Sequence, residues 1–326
     1  MPPSAERPLV TGATGFAGSH LVELLAGRLG TPIDGTHRPG ADAFAAPLRE
    51  RLRPHALDVN DPGACRELLS RLQPTAVYHL AGPAHIGESF GRPSDFARSV
   101  FVGTVNVLEA AAALDTPPRV LLVSSCEVYG EAANLVDPLT EETPPLPNNP
   151  YGACKLAAEE YARYMVRAGR LPVVISRSFN HIGPRQSPRF ATASFAKQLA
   201  EAERGTGPAQ IRVGNLGAAR DVVDVRDVVA GYSLLLERGE PGEVYNLASG
   251  TAVPISDLLR RLMAMVEARI EVVHDASRDR PSDVATRRGS AAKAEALGWK
   301  RAHSLDRTLG DLMSHWRGVV AGRPGV

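Results

Sequence analysis

The sequence is poor in cysteine: its 326 residues contain only Cys65, Cys126 and Cys154, and these lie far apart. An odd number of distant cysteines offers neither a disulfide framework nor a local CxxC site, so we predict no metal site and a reducing compartment. Long hydrophobic runs are also missing, since apolar stretches such as 99–108 stop well short of the ~20 residues of a membrane span. The start MPPSAERPLV lacks a signal-peptide pattern. We therefore expect a cytoplasmic protein with no membrane partner.

An excess of charge of one sign is absent as well, because 37 Lys and Arg residues are balanced by 36 Asp and Glu residues. No basic tract suggests a phosphate-backbone surface, so nucleic acid is not an expected partner. Apolar residues make up 44% and charged residues 22% of the chain, which excludes a mainly disordered, collagen-like or coiled-coil protein.

Short apolar runs alternate with longer helical patterns through the first half of the chain. Strands are predicted at 9–11, 32–37, 75–80, 119–124 and 172–176, and helices at 15–29, 63–72, 99–114 and 151–167. This alternation is typical of βαβ units and predicts an α/β fold with a Rossmann-type, doubly wound parallel sheet.

The second half of the chain is less regular. The proline-rich segment 137–150 predicts a loop. Beyond it, the pattern favours helices at 190–204, 228–237 and 255–268 and a strand at 244–247. We interpret 1–176 as a cofactor-binding domain and 177–326 as a smaller α/β substrate domain, and we allow the chain to cross back between the two.

A glycine-rich segment, TGATGFAG at 11–18, stands where the first strand passes into the first helix. Glycine lets the backbone approach a pyrophosphate closely, and a helix N-terminus holds the anion with its free N–H groups. An ordinary strand-to-helix turn is the alternative, but the position at the first βα junction favours a dinucleotide. The candidate contacts are Gly12, Gly15, Phe16 and Gly18.

The second predicted strand ends at Arg38 with no acidic residue at its tip. An acid there would bind the adenosine ribose, whereas an arginine can pair with a 2′-phosphate, so Arg38 favours NADP(H) over NAD(H). The remaining candidate cofactor contacts follow later apolar runs: Asp58, Val59, Leu80, Ala81 and Gly82.

A candidate catalytic set lies at the predicted carboxyl edge of the sheet. Tyr151 and Lys155 are four residues apart on one helix face, where an ammonium could lower the pKa of the phenol toward the neutral range. Ser125 and Glu127 follow the strand at 119–124. A serine hydroxyl there can orient a substrate carbonyl, and a carboxylate can move a proton at the neighbouring carbon. The alternative interpretation is a serine-rich turn with a solvated glutamate.

With these motifs and the later segments RSFNHIGP (177–184), RDVVDVRD (220–227) and RPSD (280–283), the sequence resembles the extended short-chain dehydrogenases/reductases that act on nucleotide sugars. It is most similar to the GDP-4-keto-6-deoxy-D-mannose reductases, whose near relatives are the GDP-mannose 4,6-dehydratases. The resemblance implies that Ser125, rather than Ser124, holds the sugar O4. It also implies that Tyr151 exchanges a proton, and that Lys155 binds the nicotinamide ribose and lowers the pKa of Tyr151.

The resemblance also implies a nucleotide-sugar substrate linked to GDP, with contacts from Asn180, Arg220 and Arg280. It further implies a homodimer in which the helices at 99–114 and 151–167 pair as a four-helix bundle. The alternative is that these helices merely cover the sheet. Two positions depart from the pattern: Val100 replaces a usual asparagine, and Cys126 stands where dehydratases often have Asp, Ser or another small residue. We expect Cys126 to be a buried, inert thiol, with an acid role as the alternative.

Three functions remain open from the sequence. The favoured one is reduction of the C4 ketone of a GDP-4-keto-6-deoxyhexose, with Tyr151 as the acid. The second is a nucleotide-sugar 4,6- or 5,6-dehydratase that uses Glu127 as a base and Cys126 as an acid. The third is a catalytically silent NADP-sensing protein, although such proteins typically lack the tyrosine and lysine that are present here.

Overall fold

The computed structural model describes residues 6–40, 48–279 and 284–322. Its main sheet has seven parallel strands in the order β10-β6-β5-β4-β1-β2-β3. With strands numbered in chain order, these are β1 (Pro8–Thr11), β2 (Ile33–His37), β3 (Leu52–Ala56), β4 (Ala76–His79), β5 (Arg119–Ser125), β6 (Val173–Ser178) and β10 (Val244–Leu247). The predicted Rossmann-type α/β fold is confirmed. In such a sheet the strand order reverses between β1 and β4, and ligands bind beyond the carboxyl ends of the strands near that point.

Helices cover both faces of this sheet. They are α1 (Phe16–Leu29), α2 (Pro62–Leu72), α3 (Ile86–Gly91), α4 (Pro93–Phe96), α5 (Gly103–Ala112), α6 (Pro150–Arg167) and α8 (Val225–Arg238). Alternate residues of β5 belong to the two apolar layers on opposite faces of the sheet. Leu121 packs with α1 and α8 on one face, whereas Val120 and Leu122 pack with α2, α5 and α6 on the other. Both faces are buried, which explains why the strands read as continuous apolar runs.

The remaining elements form a smaller layer beside the carboxyl edge. They are β7 (Asn180–Ile182), α7 (Ala191–Glu203), β8 (Gln210–Val213), β9 (Ala219–Asp224), β11 (Ala252–Pro254), α9 (Ile255–Met263), β12 (Glu271–His274), β13 (Thr286–Arg287) and α11 (Leu305–Val320). Helix α10 (Ala292–Ala296) packs instead against β10 of the main sheet. Strand β9 pairs with β7, β11 and β13, while β8 pairs with β12. Helices α7, α9 and α11 share a separate apolar core. The chain then crosses back, because β10 joins the main sheet and α8 packs against α1.

Several predicted boundaries are corrected. The helix predicted at 99–114 is a π-helical turn at Ala97–Val102 followed by α5, and the helix predicted at 255–268 ends at Met263. The proline-rich segment 137–150 is a loop, as predicted, tied to the rest of the chain by a bridge between Leu139 and Gly289. None of the helices in the described ranges has the length and apolar character of a membrane span.

Candidate active site

A cleft of about 890 Å³ opens where the carboxyl ends of the main-sheet strands face the smaller layer. Most of the predicted site residues line it: Gly12, Gly15, Phe16, Gly18, Leu80, Gly82, Ser125, Cys126, Glu127, Tyr151, Lys155, Asn180 and Arg220. The fold therefore brings together segments that are up to about two hundred residues apart in sequence, as expected for an open α/β sheet.

The glycine segment forms a cradle in which side chains have no room. Gly12 adopts a φ of +70°, and a Cβ there would lie 3.0 Å from the backbone of Ala81. A Cβ on Gly18 would lie 2.1 Å from the carbonyl oxygen of Gly12. Helix α1 starts immediately after Gly15, which caps it without a side chain, and its first turn contains no acidic residue. A helix N-terminus beside an unobstructed backbone is a suitable site for a pyrophosphate.

A buried hydrogen-bond network fixes the segment after β4 against this cradle. The Thr11 hydroxyl oxygen accepts from the N–H groups of Leu80 and Ala81 at 3.1 and 3.2 Å and lies 2.8 Å from Nδ1 of His79. The other ring nitrogen of His79 lies 3.0 Å from the Thr104 hydroxyl. Burial lowers the pKa of His79 to about 3. His79 is therefore neutral and structural.

Four predicted cofactor contacts do not line the cleft. Arg38 is exposed just beyond the carboxyl end of β2, and Asp58 is exposed on the following loop. Val59 is buried, and a Cβ on Gly103 would lie 2.7 Å from its side chain, so Val59 acts as a packing residue in this structure. Ala81 contributes backbone rather than side chain to the cradle. The predicted substrate contact Arg280 lies outside the described residues.

Tyr151 is buried and packs with Phe96, Val100 and the partly buried Cys154. Burial raises the pKa of Tyr151 above its usual value, the charge of Glu127 raises it further, and a hydrogen bond with Ser125 opposes the rise. The expectation of a lowered phenol pKa is therefore wrong for this structure. Val100, which replaces the usual asparagine, contributes to the apolar surroundings that cause the rise. A phenol in this environment stays protonated at neutral pH and is suited to donate a proton.

Lys155 lies one turn further along α6, with Nζ 5.8 Å from the centre of the Tyr151 ring. Its Nζ donates a hydrogen bond to the carbonyl of Val123 at 2.7 Å. Burial lowers the pKa of Lys155 to about 8, and the charge of Glu159 opposes that shift. The i, i+4 spacing of Lys155 and Glu159 could have indicated this charge interaction from the sequence.

Ser124 and Ser125 have separate roles. The hydroxyl of Ser124 donates to Oε1 of Glu159 at 2.5 Å, in a buried network that Arg177 completes with a bidentate ion pair to the same carboxylate. The Ser124 hydroxyl is therefore committed to Glu159, while the Ser125 hydroxyl accepts from the N–H of Glu127 at 3.2 Å and lies beside Tyr151. Of the two serines, Ser125 is the one whose hydroxyl lies beside the Tyr151 phenol.

Glu127 is buried and held on both carboxylate oxygens by residues that the sequence reading missed. Arg287 forms an ion pair with Oε1, and the Asn149 side chain donates to Oε2 at 2.9 Å. Asn149 also caps α6 by accepting from the N–H of Gly152 at 2.8 Å, and Pro150 occupies the first helical position. An asparagine followed by proline at a helix start is a recognisable signal. The sequence around Arg287 gives no indication of its contact with Glu127, which lies 160 positions away.

Cys126 contributes a buried thiol to the cleft. Burial raises the pKa of Cys126 to about 12, and Arg287 opposes that rise. The thiol therefore stays protonated at neutral pH and is not a reactive thiolate, which favours an inert, buried thiol at this position.

The side of the cleft that the smaller layer forms is polar and cationic. Asn180 lies at the start of β7, and its Oδ1 is buried without a hydrogen-bond partner among the described residues. The guanidinium of Arg220 donates to the carbonyls of Ala219 and Val284. Arg212 and Arg278 also line the cleft, although the sequence reading did not single them out. Guanidinium groups suit a diphosphate because they can bind it with two parallel hydrogen bonds.

Known proteins share this arrangement over almost the whole chain. A family model described as GDP-mannose 4,6 dehydratase matches residues 9–312. The chain is 35% identical over 316 residues to GDP-6-deoxy-D-mannose reductase of Pseudomonas aeruginosa, a match that covers 97% of this chain and 98% of that protein.

Solved structures agree with the sequence match. RMD from Pseudomonas aeruginosa complexed with NADPH superposes with a TM-score of 0.82 at 34% identity, covering 96% of this chain and 99% of that one. UDP-glucose 4-epimerase of Thermus thermophilus in complex with NAD superposes with a TM-score of 0.85 at 27% identity over the same shares. The chain is thus similar to reductases, dehydratases and epimerases of nucleotide sugars.

Proposed function

Because the chain belongs to the GDP-mannose 4,6-dehydratase family of extended short-chain dehydrogenases/reductases, a group of NAD(P)-dependent nucleotide-sugar enzymes, we propose that it reduces the C4 ketone of a GDP-4-keto-6-deoxyhexose. The observation that carries this proposal is the place of the Tyr151 phenol, which lines the cleft beside Ser125 and is kept protonated by its burial. Ketone reduction requires a proton donor at the oxygen, whereas the opposite direction, alcohol oxidation, requires a base there.

The glycine cradle fits a nicotinamide dinucleotide, because Gly12 and Gly18 leave no space for a Cβ and α1 begins beside them. Gly12, Gly15, Phe16 and Gly18 would hold the pyrophosphate. When bound, the cofactor supplies the hydride that reduces C4. Lys155 would bind the nicotinamide ribose.

Two side chains act on the ketone oxygen in this proposal. Tyr151 donates its phenolic proton to the oxygen as negative charge develops, and the Ser125 hydroxyl donates a hydrogen bond to the same atom. Asn180 and Arg220 would contact the sugar or its diphosphate. The unpartnered Oδ1 of Asn180 supports this assignment, because buried polar atoms normally have a partner and a sugar hydroxyl would provide one.

A second candidate function is dehydration of the nucleotide sugar. Glu127 favours it, because its carboxylate lies in the same cleft as Ser125 and Tyr151. Against it, the chain is 35% identical to a GDP-6-deoxy-D-mannose reductase and 28% identical to a GDP-mannose 4,6-dehydratase. We therefore favour the reductase.

Two incubations separate these functions. The purified protein is given the GDP-4-keto-6-deoxy sugar with NADPH, and separately GDP-mannose with no reductant. We expect stoichiometric NADPH oxidation in the first and no turnover in the second. Conversion of GDP-mannose without reductant would replace the reductase by the dehydratase.

We assign the preference for NADP(H) over NAD(H) to Arg38, which would pair with the 2′-phosphate. Changing Arg38→Asp should lower the ratio of kcat/KM for NADPH to that for NADH by about 10–100-fold, because a hydrogen bond to a charged group contributes about 1.5–3 kcal/mol. Steady-state kinetics with both cofactors measures this ratio. Arg71→Asp, at the far end of α2, is the matched control. An unchanged ratio in Arg38→Asp would show that another residue selects the 2′-phosphate.

Activity should fall as pH rises through about 8, because Lys155 loses its charge there while Tyr151 remains protonated. The shift of Lys155 is downward from the usual lysine pKa, so the ammonium form exists below this pH and the neutral form above it. A pH profile of kcat/KM for ketone reduction measures the effect. A profile that is flat well above pH 8 would contradict an essential ammonium at this position.

We assign a homodimer to the outer faces of the π-helical turn, α5 and α6. Val102 is 42% and Tyr164 is 46% exposed, although both are large apolar side chains. Changing Tyr164→Glu should convert a dimer into a monomer, because it places a charge in an apolar contact. Analytical ultracentrifugation measures the change, with Leu135→Glu as a control at an exposed position elsewhere. A monomeric parent protein would contradict the assignment.

The cytoplasmic location stays a prediction.

A further inference from the structure

Glu127, the candidate base in the cleft, has its carboxylate held in place by two neighbouring side chains. Glu127 is only 5% exposed, and Arg287, its ion-pair partner, is 3% exposed. Arg287 contacts Oε1 while Asn149 donates to Oε2 at 2.9 Å, so each carboxylate oxygen already accepts a hydrogen bond from the protein. Glu127 nevertheless lines the cleft beside Ser125 and Tyr151.

The position of Arg287 is fixed by backbone contacts on both sides. It lies on β13, opposite Arg220 of β9. The next residue, Arg288, accepts a hydrogen bond at its carbonyl from the N–H of Leu139 at 2.9 Å. The N–H of Gly289 donates to Asp221 at 3.2 Å. The guanidinium therefore comes to Glu127 from a well-anchored strand and not from a flexible loop.

The two contacts fix the direction of the Glu127 carboxylate. Rotation toward the substrate would break the hydrogen bond from Arg287 to Oε1 and the one from Asn149 to Oε2. It would also leave Arg287 as a buried cation without its counter-charge, which is strongly unfavourable because the remaining charge is not solvated.

We propose that Arg287 is a specificity-determining residue, which restrains Glu127 from acting as a base on the carbon next to the C4 ketone and so confines the site to reduction. This inference rests on the proposed function, since it requires a 4-keto sugar in the cleft. Arg287 is a positioning residue in this account, because it acts through Glu127 and not on the sugar.

The reaction that Arg287 suppresses in this proposal is proton exchange at C5 of the 4-keto sugar. An unrestrained Glu127 carboxylate would take the C5 proton, and the electron pair of the C–H bond would pass into the ketone to form an enolate. Return of a deuteron from D₂O to C5 restores the ketone and leaves deuterium at that carbon. No redox change occurs, so NADPH is not consumed.

Exchange at C5 is measured by NMR in D₂O with the GDP-4-keto-6-deoxy sugar and enzyme, without NADPH. In Arg287→Met we expect exchange to be faster than in the parent protein by on the order of 10²-fold, the lower end of what a positioned general base contributes. Arg288→Met is the matched control, because Arg288 is a neighbouring arginine that pairs with Asp137 at the surface. The control should exchange at the parent rate.

A double variant, Glu127→Gln with Arg287→Met, should return exchange to the parent rate if the released carboxylate is the base. If Arg287→Met does not fold, as judged by its thermal unfolding, Arg287→Gln removes the charge with less loss of polarity and should show the same gain. A folded Arg287 variant that exchanges no faster than the parent would overturn the inference, and so would rapid exchange in the parent itself.

The two proposals can fail separately. Failure of the parent protein to oxidise NADPH with the 4-keto sugar would remove the reductase function. Exchange at C5 is followed without NADPH, so a parent protein that reduces the ketone while its Arg287 variants show no gain would remove only the role of Arg287.

Discussion

Changing Tyr151→Phe is expected to lower kcat for ketone reduction by about 10²–10⁴-fold, the usual contribution of a general acid. The phenyl ring keeps its edge-to-face contact with Phe96, whose centroid lies 6.2 Å away, so the surroundings of the site should persist. Only the phenolic hydroxyl beside Ser125 is removed. Steady-state kinetics with the 4-keto sugar, together with an NADPH binding titration, separates the loss of kcat from any loss of affinity.

Tyr161→Phe is the matched control, because Tyr161 lies on the same helix and its hydroxyl contacts Glu109 away from the cleft. It should retain the parent kcat. Parent activity in Tyr151→Phe would show that the phenol is not the acid. If neither the parent nor the variant reduces the sugar but both bind NADPH, the third function, a silent NADP-sensing protein, gains support.

Changing Gly18→Ala should destabilise the protein by about 1–3 kcal/mol, the usual cost of overpacking. It should also weaken NADPH binding by about tenfold or more, equivalent to about 1.4 kcal/mol. The added Cβ would lie 2.1 Å from the carbonyl oxygen of Gly12 and 3.0 Å from Cα of Ala13, and both are backbone atoms that cannot rotate away. Helix α1 must then move from the strand it follows, which disturbs the cradle for the pyrophosphate. Urea unfolding and an NADPH titration measure the two effects.

Gly27→Ala is the control for helix propensity. Gly27 belongs to the same helix, and a Cβ there meets nothing within 4 Å. Alanine favours the helix by about 1 kcal/mol relative to glycine, so this variant should be as stable as the parent or more so. Unimpaired NADPH binding by a folded Gly18→Ala protein would contradict the assignment of the cradle.

The order of the main elements was predictable because a parallel sheet is buried on both faces and its strands therefore stand out as apolar runs. Strand β3 was missed, since its sequence LRPHA contains a proline and polar residues, which an edge strand tolerates. Helix α11 carried a usable signal that was overlooked: Ser304 caps it, and Leu309, Leu312 and Trp316 recur at helical spacing. The short strands of the smaller layer depend on pairing between distant segments and had no clear pattern of their own.

The site was predictable where its chemistry depends on local spacing. The glycine segment and the Tyr151–Lys155 pair are examples, because the turn or the helix alone brings their parts together. The direction of the Tyr151 pKa was predicted wrongly, since it depends on the burial of the phenol and on the charge of Glu127, and neither follows from helical spacing. Arg287 could not be predicted, because the tertiary fold alone brings β13 to Glu127.

Transfer of deuterium from a cofactor labelled at the reactive nicotinamide carbon shows whether this protein delivers hydride to C4 of the sugar. The protein is incubated with this NADPD and the GDP-4-keto-6-deoxy sugar, and the product is examined by NMR. We expect a 6-deoxyhexose with one deuterium at C4 and one NADPD consumed per product. An unlabelled C4, or product formed without consumption of NADPD, would show that this protein does not reduce the C4 ketone.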